Sequence, residues 1–120
     1  PLAALRAALD VFHAVGPEPM AALRAKSMQQ QAYLDALLDA RLAGRVESLT
    51  PRDPTQRGCQ QALRVIAPGH AGRAVFEALE AAGVMCDWRE PNVIRAAPVP
   101  LYNTYLDVCR FVEILDGILA

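Results

Sequence analysis

Short breaks that contain proline divide this 120-residue chain into segments of modest length. A proline ring fixes φ and removes a backbone donor, so helices and central strands end at or beside such breaks. The chain is therefore expected to fold as short helices and strands joined by tight connections. The breaks are GPEP (16–19), PRDP (51–54), PGH (68–70), EPN (90–92) and PVP (98–100).

Four of the segments between these breaks place apolar residues at helical spacing. Gly44 and Gly83 are positioned to end the second and third helices. Thr104, followed three residues later by Asp107, resembles a capping box for the last helix. The polar string KSMQQQAY (26–33) predicts that the second helix exposes one face to water. The predicted helices are residues 2–12, about Glu18 to Arg41, Ala71–Gly83, and a last segment from Asn103 or Thr104 to Leu119.

Four shorter segments show the alternation or the branched residues that are typical of strands. The EPN connection between the last two is tight enough for a hairpin, which requires antiparallel pairing. A chain of this length forms one domain, and the interleaved order predicts an α/β (α+β) fold with a small mixed or antiparallel sheet covered by helices. The predicted strands are Arg45–Thr50, Cys59–Ile66, Val84–Arg89 and Val93–Ala97.

The charge balance argues against two classes of partner. The chain has 12 basic and 13 acidic residues and a formal net charge of -1, so no overall basic field attracts nucleic acid or an anionic membrane. No apolar run approaches the roughly 20 residues of a membrane span. The three cysteines, Cys59, Cys86 and Cys109, lie far apart and form no metal-ligand motif. They are predicted to be small apolar residues in or near the core, which fits a reducing cytoplasm.

The common catalytic motifs are absent. The sequence has no Gly-rich phosphate loop, no HExxH and no GxSxG. His13 and His70 are isolated, which favours solvated or capping roles, and the same roles suffice for Asp53 and Asp87. Lys26 is the only lysine, so Schiff-base chemistry by this chain alone would need it. Its position within a helix instead predicts a side chain on a solvated face.

Arg95 is the residue that raises a functional question. It lies in the apolar strand VIRAA (93–97), which runs into Pro98, and arginine is rarely buried without a partner. Alternation places its side chain on the face opposite to Ile94. The spacing alone leaves two interpretations open, a salt bridge or solvent-reaching side chain on the one hand and a ligand site on the other. A ligand would be a carboxylate, whose two oxygens match the planar guanidinium.

Several long strings in the sequence resemble the C-terminal end of kynureninase. The central ones are RGCQ (57–60), the G-V-x-C-D-x-R run (83–89) and IRAAPVPLYN (94–103), and ALRAKSMQQQAYLDALL (22–38) adds a match in the N-terminal half. The resemblance covers essentially the whole chain, and its longest string is far more specific than a spacing pattern.

The resemblance implies a concrete function. Kynureninases are pyridoxal-phosphate enzymes of the aspartate-aminotransferase fold type that hydrolyse L-kynurenine, or its 3-hydroxy form, to anthranilate, or 3-hydroxyanthranilate, and L-alanine. They act in tryptophan catabolism and serve NAD biosynthesis. The arginine of the family's I-R-x-A-P-V-P string holds the substrate's α-carboxylate, and it maps to Arg95. The matching Arg57, Gln60, Tyr102 and Asn103 are expected to have structural or interface roles.

The family's cofactor lysine and phosphate-binding residues belong to a large domain without a counterpart here. The resemblance therefore implies that this chain is a small-domain portion, inactive alone, with no metal or cofactor of its own. Residues 1–44 are expected to be a helical segment leading to the large domain, and residues 45–120 the small α/β domain, together one structural unit. The implied partners are the large pyridoxal-phosphate domain, a homodimer partner and the small-molecule substrate, in the cytoplasm.

One alternative from another class has the same order of elements. A stand-alone ferredoxin-like domain that binds a small regulatory ligand also contains strand, helix, strand, strand and helix, and fold alone does not separate function. The long helices before Gly44 are surplus to such a domain, which favours the kynureninase interpretation.

Overall fold

The computed structural model describes all 120 residues, from Pro1 to Ala120. Four helices and four strands follow one another in the predicted order, with a 3₁₀ turn at Pro54–Gln56. The helices are α1 (Leu2–His13), α2 (Pro19–Leu42), α3 (Gly72–Ala81) and α4 (Tyr105–Ile118), and the strands are β1 (Val46–Ser48), β2 (Gln61–Val65), β3 (Asp87–Arg89) and β4 (Val93–Ala96).

The four strands form one antiparallel sheet in the order β1-β2-β4-β3. The predicted hairpin is confirmed: β3 pairs with β4, with Asp87 opposite Arg95 and Arg89 opposite Val93. The α/β prediction is also confirmed, and of the two predicted kinds of sheet the antiparallel one is formed. β4 lies in the interior of the sheet, between β2 and β3.

The hydrophobic core lies between one face of the sheet and the helices. Alternation sends Leu63 of β2 and Ile94 of β4 into this core, and both are almost fully buried. Helices α2, α3 and α4 cover them with leucine, valine and phenylalanine side chains. The buried helical members are Leu34, Leu38, Leu42, Val75, Phe76, Leu79, Val108, Val112 and Leu115, and Leu119, just after α4, joins them.

The third predicted strand is shorter than its apolar pattern suggested. Residues 84–86 precede β3 because the end of α3 uses the first of their backbone donors. The Val84 N–H donates to the Leu79 carbonyl at 2.9 Å, and the Gly83 N–H donates to the Glu80 carbonyl at 2.9 Å. With Gly83 at φ 83°, this is a Schellman closure, and the predicted role of Gly83 is confirmed.

The first helix contributes nothing to the core. No residue of α1 is buried, although its leucines recur at helical spacing, and Leu2, Leu5 and Leu9 are among the exposed large apolar residues. An apolar stripe of this kind is typical of a surface that another part of a protein covers. None of the helices combines the length and hydropathy needed to cross a membrane.

The predicted capping box at the start of α4 is confirmed. The Thr104 hydroxyl accepts from the Asp107 N–H at 3.2 Å, and the Asp107 carboxylate accepts from the Thr104 N–H at 2.7 Å. The bonds from the Thr104 backbone and side chain hold the pKa of Asp107 below its usual value.

Replacing Thr104 by alanine is expected to lower the free energy of unfolding by about 1 kcal/mol, because the Asp107 N–H loses its acceptor. Urea unfolding followed by circular dichroism measures the change. Thr104→Ser keeps the hydroxyl and is the control, and equal stability of the alanine and serine variants would contradict the capping role.

Candidate functional site

The second face of the sheet is not covered by helices and carries charged side chains at alternate positions. We call it the open face and define it by Glu47, Arg64, Asp87, Arg89 and Arg95. The register sets Glu47 opposite Arg64 and Asp87 opposite Arg95, and residues that face each other across antiparallel strands project to the same side. The open face is therefore the polar counterpart of the buried one.

Arg95 has an ion-pair partner on the neighbouring strand. Its Nη2 donates to Oδ2 of Asp87, and Nη2 of Arg89 lies 3.1 Å from the same oxygen as a second ion pair. The Arg95 side chain is 28% exposed, while its Nε is buried and has no hydrogen-bond partner. Asp87 is solvated as predicted, with its side chain 49% exposed. What the prediction missed is the ion pair, because the hairpin register places Asp87 directly across from Arg95.

The segment after β4 is held against α2. Asn103 Oδ1 accepts from the Val99 N–H at 2.8 Å, closing the turn formed by residues 99–103. The Asn103 carbonyl accepts from Lys26 Nζ and from Gln30 Nε2, both at 2.8 Å, and the Pro100 carbonyl accepts from Lys26 Nζ at 2.7 Å. These bonds connect the exit of the Arg95 strand to the middle of α2.

The structure therefore changes the interpretation of Lys26. Its amino group does not lie on a solvated face but is partly buried and bonded to two carbonyls. The helix α2 does expose one face, as predicted. The error came from the polar string around Lys26, because Ser27, Gln30 and Gln31 of that string are buried. Gln30 and Gln31 donate to carbonyls of loops that pack on α2, those of Asn103 and Cys59.

A second set of contacts, which we call the buried polar cluster, consists of Gln31, Asp35, Arg57 and Gln61. Arg57 Nη2 lies 2.8 Å from Asp35 Oδ2, and the two side chains are 6% and 11% exposed. Gln61 Nε2 donates to Gln31 Oε1 and to Asp35 Oδ1, both at 2.9 Å. The cluster ties α2 to the start of β2.

Sequence reasoning missed three members of this cluster. Gln31 and Asp35 are four residues apart and so share one side of a helix, and this spacing was the available signal. Nothing local indicated that Gln61 would meet them, because that contact depends on how β2 packs against α2. Gln31 also donates to the Cys59 carbonyl at 2.6 Å.

The remaining matched positions lie at the surface. Gln60 is exposed, and Tyr102 is 70% exposed. Tyr102 borders a groove of about 590 Å³ between α4 and residues 82–86, where Met85 is also largely exposed. Neither Gln60 nor Tyr102 forms a hydrogen bond with Arg95, whose side-chain partner is Asp87.

The residues that could support other chemistry are not arranged for it. His70 Nδ1 lies 3.2 Å from the Pro68 carbonyl, a contact within its own turn. Burial, with a smaller contribution from the charge of Glu80, raises the pKa of the Cys86 thiol to about 11, which makes it a poor nucleophile at neutral pH. No group of three or more His, Cys, Asp or Glu residues could hold a metal ion.

Comparison with solved structures supports the fold. A chain described as a NifS-like protein superimposes with a TM-score of 0.64, covering 84% of this chain and 30% of that one. At 16% sequence identity, this likeness shows a shared fold and nothing more.

Sequence relatives identify the family. The family model described as "Kynureninase C-terminal domain" matches residues 23–115. Kynureninases of Stenotrophomonas maltophilia and Xanthomonas euvesicatoria are each 54% identical over 116 residues, which is 97% of this chain and 27% of either relative. The kynureninase of Xanthomonas campestris is 51% identical over 112 residues.

The chain thus spans about a quarter of the length of these curated relatives. The matched residues include the cluster around Arg57, the Asp87–Arg95 hairpin and the segment held by Lys26. The comparisons support the kynureninase resemblance and do not favour the ferredoxin-like alternative. The chain belongs to the kynureninase family and corresponds to its C-terminal domain.

Proposed function

We propose that this chain is the substrate-carboxylate domain of a pyridoxal-phosphate-dependent kynureninase, in which Arg95 binds the α-carboxylate of the substrate. The reaction is hydrolysis of L-kynurenine, or 3-hydroxykynurenine, to anthranilate, or 3-hydroxyanthranilate, and L-alanine, with one water consumed. The observation that carries this proposal is the family match together with a partly exposed Arg95 on the open face.

The surroundings of Arg95 suit the binding of a carboxylate. Asp87, Arg89 and Arg95 together carry one negative and two positive charges, so this corner of the open face attracts an anion. The strand that carries Arg95 is paired on both sides, and its exit is held by Lys26 and Gln30. A guanidinium on so constrained a backbone can place the substrate's α-carbon reproducibly.

The cofactor would have to be held by another part of the polypeptide. Pyridoxal phosphate, when bound, acts as the electron sink for the bond cleavage. The only lysine of this chain has its amino group bonded to the carbonyls of Pro100 and Asn103, so it does not fit the role of cofactor lysine. The contribution of this chain is therefore to bind and orient the substrate.

The exposed stripe of α1 supports a domain arrangement. We propose that residues 1–44 lead to the large cofactor domain, that residues 45–120 form the small domain, and that Leu2, Leu5 and Leu9 are covered by the large domain. In this arrangement Gln60 and Tyr102, both exposed, are interface residues, and Arg57 and Asn103 are structural ones. We further propose a homodimer in the cytoplasm, which suits three free cysteines, with a role in tryptophan catabolism and NAD biosynthesis.

The test is anthranilate release from L-kynurenine by the full-length polypeptide supplied with pyridoxal phosphate. We expect release by this polypeptide and none by residues 1–120 alone. No release by a folded, cofactor-loaded polypeptide would contradict the proposed function. Comparing L-kynurenine with 3-hydroxykynurenine in the same assay identifies the preferred substrate.

A further inference from the structure

We propose that Asp87 is a positioning residue for the substrate carboxylate. In this role it orients the Arg95 guanidinium so that the terminal nitrogens face the ligand. Asp87 can do so only if Arg95 binds the carboxylate, so the inference rests on the proposed function.

The position of Asp87 follows from the register of the hairpin. Asp87 and Arg95 are directly opposed on β3 and β4, and Asp87 Oδ2 accepts from Arg95 Nη2. A cross-strand pair on an antiparallel sheet has little freedom to separate, because the backbone ladder fixes the spacing of the two residues. Asp87 therefore restricts the rotation of the Arg95 side chain.

The donors of Arg95 divide into used, inaccessible and free groups. A guanidinium has five N–H donors, one on Nε and four on the two terminal nitrogens. Asp87 accepts from Nη2, and Nε is buried without a partner. Because protein encloses Nε, a ligand can approach only the terminal nitrogens, where donors remain after Asp87 is bound. These terminal donors are suited to a carboxylate.

The other cross-strand pair on the open face shows a contrasting use of arginine. Arg64 donates from both Nε and Nη2 to Oε2 of Glu47, at 3.1 and 2.6 Å. The Nε and Nη2 donors of Arg64 are therefore both occupied by Glu47. Arg95 gives Asp87 a bond from one nitrogen only, and this difference favours a second, external acceptor for Arg95.

Arg89 keeps Asp87 in place when a ligand arrives. Its Nη2 lies 3.1 Å from Asp87 Oδ2, so Asp87 is held from its own strand as well as from β4. An incoming carboxylate therefore need not displace Asp87, and the local excess of one positive charge still favours the ligand. This arrangement supports orientation of Arg95 by Asp87 over competition between Asp87 and the ligand.

The experiment uses the full-length polypeptide loaded with pyridoxal phosphate. L-Alanine and L-alaninamide serve as inhibitors of anthranilate release, since the two differ only in the group that Arg95 would bind. Asp87→Asn is expected to raise the inhibition constant of L-alanine and the KM for L-kynurenine about tenfold, with kcat and the constant for L-alaninamide nearly unchanged. Asp87→Glu, which keeps the charge, is expected to recover most of the loss.

Two controls make the result specific. Asp39→Asn breaks an exposed pair with Arg52 of similar chemistry, whose shortest N–O distance is 2.5 Å, and is expected to leave both inhibition constants unchanged. Cofactor absorbance reports whether each variant remains folded and loaded. The inference is overturned if Asp87→Asn leaves L-alanine binding unchanged or tightens it, or if it weakens both inhibitors equally.

Arg95→Lys separates failure of this inference from failure of the proposed function. If Arg95→Lys removes the discrimination between acid and amide and Asp87→Asn does not, Arg95 binds the carboxylate without help from Asp87. If Arg95→Lys also keeps the discrimination, the carboxylate role of Arg95 is wrong, and the role of Asp87 is wrong with it.

Discussion

Replacing Arg57 by methionine is expected to lower the free energy of unfolding by about 3–5 kcal/mol, the usual cost of removing one partner of a buried ion pair. Arg57 and Asp35 are only 6% and 11% exposed at their side chains. Without Arg57, the Asp35 carboxylate keeps its bond from Gln61 Nε2 but loses its only cationic partner. Methionine fills a similar volume, so the loss reflects charge rather than an empty space.

The measurement is urea unfolding of the variant beside that of the unchanged chain. The double variant Arg57→Met/Asp35→Leu is expected to recover much of the lost stability, because it leaves no unpaired charge behind. Arg52→Met is the matched control, since Arg52 pairs with Asp39 at the surface, and it is expected to change stability little. Equal effects of Arg57→Met and Arg52→Met would show that the buried pair contributes no more than a surface pair.

Local chemistry was sufficient to predict the order of elements and two of their ends. The Thr104–Asp107 box and the closure at Gly83 each depend on residues within a few positions of one another. The hairpin followed from a tight connection. The predicted strand from Val84 was too long, because the competing use of its N–H by α3 is not visible in an apolar pattern.

Contacts between distant segments could not be predicted in the same way. Lys26 lies in a polar stretch, and only the packing of residues 99–103 against α2 shows that its amino group binds two carbonyls. The pairing of Arg57 with Asp35 likewise depends on how the loop before β2 meets α2. A polar residue on a helix has the same local pattern whether it faces water or a loop.

The candidate site falls between these two cases. The spacing around Arg95 left two possible partners open, an acidic side chain or a ligand. The resemblance to kynureninase implied that the ligand is the α-carboxylate of the substrate. Asp87 was within reach of sequence reasoning, because a hairpin that pairs Arg89 with Val93 must also pair Asp87 with Arg95. The structure shows an ion pair that uses one terminal nitrogen of Arg95, and such a pair is compatible with the proposed binding of a ligand.

Replacing Arg95 by lysine in the full-length polypeptide is expected to lower kcat/KM for L-kynurenine by about 30- to 100-fold, the range that corresponds to the loss of a charge-assisted carboxylate contact. Lysine keeps the charge but has a single ammonium, which cannot bond to Asp87 and present two parallel donors to the ligand. The backbone at this position cannot easily move to compensate for the lost guanidinium, since β4 is paired on both sides.

The measurement is steady-state anthranilate release, with cofactor absorbance as the check that loading is unchanged. Arg64→Lys is the matched control, because Arg64 lies on the same open face and is already engaged with Glu47 on the neighbouring strand. We expect this control to retain nearly full kcat/KM. If both lysine variants behave alike, the open face contributes only general positive charge. A loss confined to Arg95→Lys indicates that the reaction requires a guanidinium at this one position, oriented by the strand that carries it.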